Sequence, residues 1–399
     1  MDTVFVILSA GLAVAALFLA AFLFVEVIAS LPRPANAARR ALTGKIAVII
    51  PAHNESSVIG ATLSNIQQQL SDGDRLIVVA DNCNDDTAEI ARRAGAQAAE
   101  RTDADKRGKG YALQFGIDML RAAPPDIVVL ADADCMFEEG ALRNIAAMAE
   151  QRDRPVQALY LMKAPIGASP RLQAAEFVWG FINHTRMLGL QRLFDVTRFT
   201  GSGFAIPWRH IEKVPLASAE IVEDLSLTFD LTRAGAAPVL APLQIVESDF
   251  PVGERALARQ AARWSLGSLR YSAKSGLSLI VEGVKSSNSR LVGAAIDLLI
   301  PPLTIFIGLQ GAIALLALGV WLFTGVSWPF AVVWWSLALT ASAVVIGWAR
   351  HGRDALPPSS LGGLVAFLAA KANVFGRSGR ESAKNWTPTR GGDDAGNGA

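Results

Sequence analysis

Three stretches of the chain are apolar almost without interruption. From Thr3 to Pro32 the single ionisable residue is Glu26, and a helix of that length crosses the roughly 30 Å hydrocarbon layer of a bilayer. Leu303 to Phe323 and Trp328 to Ala349 contain no charged residue, and Thr324-Gly325-Val326-Ser327 between them reads as a tight turn. The pair is predicted to form a transmembrane hairpin. A cleaved signal peptide is the rival reading of the first stretch. Asp2 with no preceding Lys or Arg, and a run far longer than the roughly 7 to 15 residues of a signal core, both oppose it.

Between these stretches the pattern changes. Lys45 to Ile50 is a short β-branched apolar run stopped by Pro51, and helical spacing follows from Val58 through Leu63 and Ile66 to Leu70. The same succession recurs in Arg75 to Ala80 followed by Asp85 to Ala94, and in Asp126 to Ala131 followed by Glu138 to Glu150. Continuous apolar strands alternating with helices predict an α/β fold with a mostly parallel sheet covered on both faces. Ligands of such sheets bind beyond the carboxyl ends of the strands. Further helices are expected at Tyr111 to Leu120, at Leu225 to Thr232, and around Phe177, Trp179, Phe181, Met187 and Leu190, the last as core or membrane-docking surface.

The predicted organisation is a membrane helix at 1–32, an α/β domain at 45–271, a surface-lying helix at 272–290, the hairpin at 291–350 and an interfacial segment at 351–386. A disordered tail is expected at 387–399, where too little apolar surface exists to fold. Leu361 to Phe375 is apolar but short for a span.

Composition agrees with a membrane protein, since 51% of the 399 residues are hydrophobic and 18% charged, against about 25% charged in soluble domains. A net charge of +1 provides no basic field, which excludes nucleic acid as the expected partner. Cys83 and Cys135 cannot make a disulfide framework. Basic residues cluster after the first span (Arg33, Arg39, Arg40, Lys45) and after the last (Arg350, Arg353, Lys371, Arg377, Arg380, Lys384). Both flanks are therefore expected in the cytoplasm of a multi-pass inner-membrane protein, with the α/β domain facing the cytoplasm. Trp321, Trp328, Trp334, Trp335 and Trp348 fit interfacial anchoring, and some fit helix packing equally well.

The strand ends carry the candidate chemistry. They read Pro51-Ala52-His53-Asn54-Glu55, Asp81-Asn82-Cys83-Asn84-Asp85-Asp86 and Asp132-Ala133-Asp134. Helix capping explains any one of them. Three together crowd negative charge into one crevice, which a divalent cation on a phosphate-bearing ligand would offset. Lys106-Arg107-Gly108-Lys109-Gly110, ahead of a helix, suits a diphosphate and equally suits a solvated loop. His53, His184, His210 and His351 have no zinc-site spacing.

Taken in order, Pro51 to Glu55, Asp81, Asp132-Ala133-Asp134, Glu223-Asp224 and Gln260-Ala261-Ala262-Arg263-Trp264 resemble the motifs of the membrane-bound family 2 glycosyltransferases. That family includes bacterial exopolysaccharide synthases and is related to cellulose, hyaluronan and ceramide glucosyl transferases. The resemblance covers about Ile46 to Tyr271. It implies a GT-A fold with flanking membrane helices and a nucleotide-sugar donor, UDP-linked in the first instance. By the same resemblance Glu55 and Asp81 hold the nucleoside and Lys109 lies near the uracil or diphosphate. Asp132 and Asp134 meet ribose and a Mg²⁺ or Mn²⁺, with Asp134 the stronger ligand. Asp224 is the implied catalytic base, and Glu223 with Gly201-Ser202-Gly203 lies on the acceptor side. Gln260, Arg263 and Trp264 close over the donor.

Helix capping by Glu223 and Asp224, and simple packing by Trp264, are the bland alternatives. The expected activity is inverting transfer to a lipid-linked or polysaccharide acceptor. Only three spans are visible, which favours single transfer over export through a pore in one chain. A glycolipid synthase of the ceramide glucosyltransferase kind, or a non-catalytic sensor or scaffold with polysaccharide export partners, are the other readings. A transporter would need more spans with polar midplane residues, whereas the hairpin has only Gln310.

Overall fold

The computed structural model describes residues 2–34, 41–217, 222–251 and 254–372. The predicted tail, and the expected interfacial segment beyond 372, lie outside them. The chain opens with helix α1 (Asp2–Ser30). Then β1 (Ile46–Ala52), α2 (Ile59–Gln67), β2 (Arg75–Asp81), α3 (Thr87–Arg93) and β3 (Gln97–Arg101) follow. Next come α4 (Lys109–Leu120), β4 (Ile127–Leu130), β5 (Met136–Phe137), α5 (Ala141–Arg152) and β6 (Val156–Lys163). Helix α6 (Pro170–Gly180) continues through a π-helical turn (Phe181–Arg186) into α7 (Met187–Phe194). After β7 (Phe204–Pro207) and α8 (Trp208–Ile211) come α9 (Glu223–Arg233), β8 (Val239–Asp249) and α10 (Glu254–Lys285). The last elements are α11 (Ser289–Leu299), α12 (Leu303–Thr324), α13 (Trp328–Gly347) with a π-helical turn (Trp348–Gly352), and α14 (Gly362–Ala372).

The chain divides into two compact units. The first contains Pro34–Ile166 and Asp195–Gly267, and the second contains Met1–Arg33, Gly167–Phe194 and Ser268–Asn373.

The α/β unit holds one eight-stranded sheet in the order β3-β2-β1-β4-β7-β6-β8-β5. Strand β1 pairs in parallel with β2 (Ile49↔Ile77) and β4 (Ile49↔Leu130), and β2 pairs in parallel with β3. The continuous apolar runs exist because both faces are covered: Ile46 to Ile50 are all fully buried. One face packs Ala47, Ile49, Ile77, Val79, Val128 and Leu130 against Ala112, Leu113, Ile117 and Leu120 of α4 and Leu227 and Leu231 of α9. Gly116 allows that approach, since a Cβ there would lie 2.7 Å from Ile49 Cγ2. Beyond β4 the sheet turns mixed, with β7 antiparallel to β4 and β6, β6 parallel to β8, and β5 antiparallel to β8. The predicted α/β class and its parallel core are found, and the antiparallel part is an addition.

In the helical unit α1, α12 and α13 (through Gly352) are each long and apolar enough to cross a membrane. Ala13 and Ala16 of α1 pack with Ile313 and Val333. Gln310 donates to Ser336 Oγ (2.7 Å) and Thr340 Oγ1 (2.9 Å), all three buried, so the one amide of α12 is spent on helix pairing. Glu26 is fully buried and is met by Arg186 Nε at 3.3 Å, while the same guanidinium pairs with Asp297 of α11. A Cβ on Gly189 would strike the Glu26 carbonyl, so only glycine lets α7 cross α1 there. Of the segment 272–290, expected as one surface-lying helix, 289–290 open α11 and 272–285 form the second half of α10. Helix α10 ends where Ser287 adopts φ +53° and Asn288 Oδ1 caps α11. Pro301-Pro302 then separates α11 from the hairpin.

Candidate active site

The ends of β1 and β2 are knitted into one loop pair. Asn84 N–H donates to Asn54 Oδ1 (2.9 Å), Ser56 N–H to Asp85 Oδ2 (3.1 Å) and Glu55 N–H to Thr87 Oγ1 (2.9 Å). Asn54 and Asn82 take positive φ (57° and 54°), which Asn tolerates better than most residues. The thiol of Cys83 donates to the Ala52 carbonyl at 3.4 Å, so this cysteine serves the loop. Asp81 is nearly buried and accepts from Arg101 Nη1 at 2.5 Å and Asn82 Nδ2 at 3.1 Å. Arg101 also stands over the Tyr111 ring, 5.7 Å from its centroid, and donates to the Lys106 carbonyl (2.8 Å). Glu55 and Asp81 thus belong to one corner, with Arg101 as its cation.

The second group gathers around Lys109, the first residue of α4. Gly108 precedes it with φ +132°, a conformation that favours glycine. Lys109 Nζ lies 2.6 Å from Asp132 Oδ1 and 3.5 Å from Glu223 Oε1, and donates to the Gly201 carbonyl at 2.6 Å. Burial opposes its charge, yet Asp132 and Glu223 outweigh that and hold the ammonium above its ordinary range. Gly201 (φ +96°) and Gly203 (φ +71°) shape a loop whose Ser202 is fully buried, its hydroxyl accepting from Asp132 N–H at 2.9 Å. The loop is pinned to β4 by Gly203 N–H donating to the Leu130 carbonyl at 3.0 Å. Ser202 therefore stands behind Asp132 and orients it.

Glu223 and Asp224 occupy the first turn of α9, after Val222 at the cap position, which makes no side-chain hydrogen bond. The Glu223 carboxyl meets Lys109 Nζ at 3.5 Å and its own backbone N–H, and Asp224 Oδ1 accepts from the next residue's N–H at 2.9 Å. Burial raises the Glu223 carboxyl, against the pull of Lys109. Burial first, and the charge of Glu223 second, push Asp224 up to about 7, with Lys109 and Arg198 opposing. Arg198 is held near this turn by its neighbour: Phe199 N–H donates to Thr228 Oγ1, whose hydroxyl donates to the Asp224 carbonyl.

In α10, Gln260, Arg263 and Trp264 share a face by their i, i+3, i+4 spacing. Burial pulls the Arg263 guanidinium below its usual range, and Glu223 and Asp132 act on it in the opposite sense, so it sits within their electrostatic reach. Gln260 Oε1 is buried without a hydrogen-bond partner. Asp132, Asp134 and Cys135 offer ligand atoms within 4.8 Å of one another. Burial, then Asp134 and Asp132, drive the Cys135 thiol well up. The donors on offer are thus carboxylate oxygens, the set that Mg²⁺ and Mn²⁺ prefer.

Residues 44–267 match the family model described as glycosyltransferase like family 2. The chain belongs to that family. The matched residues are thus a domain of the glycosyltransferase class. "Probable glycosyltransferase YdaM" of Bacillus subtilis (strain 168) is 28% identical over 243 residues, 56% of this chain and 55% of that protein. "Dolichyl-phosphate hexose transferase" of Haloferax volcanii is 32% identical over 90 residues, 23% of this chain and 36% of that protein. The chain thus spans about half of the first of these relatives and about a third of the second. Among solved structures, the mannosyltransferase PcManGT of Pyrobaculum calidifontis, in complex with GDP-Man and Mn²⁺, superposes with TM-score 0.53 at 17% identity. That match covers 92% of this chain and 98% of the other, a likeness of fold.

Arg101 and Arg198 are the site residues that sequence reasoning missed. Arg101 ends β3, whose Gln-Ala-Ala-Glu-Arg has no apolar run to announce a strand, and Arg198 lies in a loop without a motif.

Proposed function

We propose that this family 2 enzyme is an inverting transferase that moves a sugar from a nucleotide-sugar donor, UDP-linked in our reading, onto a lipid-linked acceptor at the cytoplasmic face of the inner membrane. Asp224 carries the reading: a carboxyl pushed to about 7, beside Glu223 and the Lys109–Asp132 pair. A base with that proton affinity takes the proton of an attacking hydroxyl near neutral pH, a contribution of about 10² to 10⁴ in rate. A single displacement at C1 inverts its configuration.

The other residues take supporting roles. Glu55 and Asp81 hold the nucleoside, with Arg101 at Asp81 as part of that contact. Arg263 balances the charge of the diphosphate, and the unpartnered Gln260 Oε1 accepts from a donor hydroxyl. Trp264 shapes the acceptor end, with Gly201, Ser202 and Gly203 setting the loop beside it. Asp134, with Asp132, would hold a Mg²⁺ or Mn²⁺, and Asp134 is the main donor because Asp132 is already engaged by Lys109. A metal held there would supply positive charge to offset that of the leaving diphosphate.

The membrane part of the reading rests on the three apolar helices and on side chains such as Leu322, Phe323 and Trp335, which are 74%, 92% and 68% exposed. Such surface suits lipid and is unfavourable in water. Three spans among the described residues are few for a pore, so transfer to a lipid carrier is favoured over polymer growth with export partners. The test is release of nucleoside diphosphate from a panel of UDP- and GDP-sugars by purified protein in native lipid extract, with Mn²⁺ or Mg²⁺ against EDTA. We expect release from one donor, lost with EDTA and with Asp224→Asn. Undiminished turnover in Asp224→Asn with intact donor binding would remove Asp224 from the base role.

A further inference from the structure

The helical unit holds a polar cluster that glycosyl transfer does not use. Its two π-helical turns pack near one another, Phe181–Arg186 following α6 and Trp348–Gly352 following α13. A Cβ on Gly347 would come within 2.6 Å of the Phe181 ring, which shows how tightly the turns are pressed. Such widened turns occur preferentially at functional positions. Each supplies one histidine, and the rings of His184 and His351 lie 4.6 Å apart, centroid to centroid.

Two arginines stand beside them. Arg192 donates to the carbonyls of Ala29 (2.6 Å) and Pro32 (2.7 Å), and Arg350 Nε donates to the carbonyl of Leu31 (3.1 Å). Capping the end of α1 explains these three bonds. It does not explain two exposed guanidiniums gathered with no carboxylate partner among the described residues. Burial and then Arg350 draw Arg192 below its usual range, and burial, His351, Arg350 and Arg192 together hold His184 down to about 4. His351 Nε2 is buried with no hydrogen-bond partner. One turn further on, Arg353 stacks over Trp348 at 5.4 Å and adds a third cation.

We propose that His184, Arg192, Arg350 and His351 form a binding site for a phosphate anion, delivered as the headgroup of an anionic lipid. Guanidinium forks suit phosphate oxygens, and an anion here relieves the repulsion between the cations. Val25 and Ile28, on the last turns of α1, are 47% and 40% exposed and provide an apolar surface for the acyl chain. The lipid source rests on the membrane reading above, and the phosphate chemistry does not.

The test is native mass spectrometry of the full chain in detergent, offered phosphatidic acid and phosphatidylcholine of equal chain length. A melting curve with and without millimolar inorganic phosphate runs alongside. We expect about tenfold preference for phosphatidic acid, the scale of one charge-assisted hydrogen bond. The preference should be lost in Arg192→Gln/Arg350→Gln and partly kept in Arg192→Lys/Arg350→Lys, with a cooperative melt in the absence of phosphate confirming that each variant folds. Equal retention of the two lipids, with inorganic phosphate raising the melting temperature of wild type but not of the Gln variant, would overturn the lipid source in favour of free phosphate. Equal retention in wild type and the Gln variant, with no phosphate-dependent melting shift, would overturn the site. Mass and melting are independent of turnover, so failure here is separable from failure of the transferase reading.

Discussion

Each unit gathers two or more carboxylates around a single cation, with opposite accessibility. In the helical unit Arg186 is 4% exposed and its partners Glu26 and Asp297 are fully buried. In the α/β unit the side chains of Lys109, Asp132 and Glu223 keep 23%, 30% and 16% of their surface exposed. The sealed cluster serves architecture, tying α1, the turn before α7, and α11 at one point. The open one stays accessible, and in the proposed function a metal, a diphosphate and an acceptor meet there. Burial without access raises the cost of breaking a pair, whereas burial with access tunes a group for chemistry.

The largest expected effect is on the open cluster. Asp224→Asn should lower turnover by about 10² to 10⁴ while raising the melting temperature at pH 8. The sign follows from linkage: the folded state holds this proton to about pH 7, and the unfolded carboxyl loses it near the ordinary value of 3.8. The wild type is therefore penalised progressively above that lower value and fully above about 7, and the Asn variant escapes the penalty. Melting curves from pH 4 to 8 check it, and a gap between the two proteins that fails to widen with pH would refute the assignment.

Arg186→Met should act through stability alone, with a loss of about 3 to 5 kcal/mol because Glu26 and Asp297 would keep buried charge with no guanidinium partner. Denaturation in detergent measures it. A stable, well-folded Arg186→Met protein would make the sealed cluster dispensable.

A subtler change follows from Lys109→Met. Lys109 opposes the rise in Asp224, so its removal should move the acid limb of the kcat/KM profile to higher pH and weaken donor binding. An unmoved limb would mean that Lys109 does not act on the base. The smallest effect is expected from Gln310→Leu, about 0.6 kcal/mol by the average for hydrogen bonds between membrane helices, read from thermal melting.

Much of this contrast was legible in the chain. The β1, β2 and β4 runs and their polar ends announce a parallel core and its ligand edge, because strands covered on both faces must be apolar throughout. Glu26 was visible as the lone ionisable residue between Thr3 and Pro32, but its partners were not, since Arg186 and Asp297 lie 160 and 111 residues away along the chain from Glu26 and Arg186 respectively. The strands of the mixed part of the sheet, β6, β7 and β8, were missed because pairing between distant segments leaves no local period. Asp81 was predicted as a nucleoside contact, yet Arg101, which engages it, sits on a strand with no apolar signature.

Local order therefore sufficed for the membrane helices, the βαβ succession and the identity of the acids at the strand ends. Each of these depends on periodicity or on residue type within a few positions. Folding alone determines that Lys109 meets Asp132 and Glu223, that Ser202 stands behind Asp132 and that burial pushes the Asp224 carboxyl up. Those properties arise from desolvation and Coulomb interaction between residues up to about a hundred positions apart, and both exist only once the chain has closed around them.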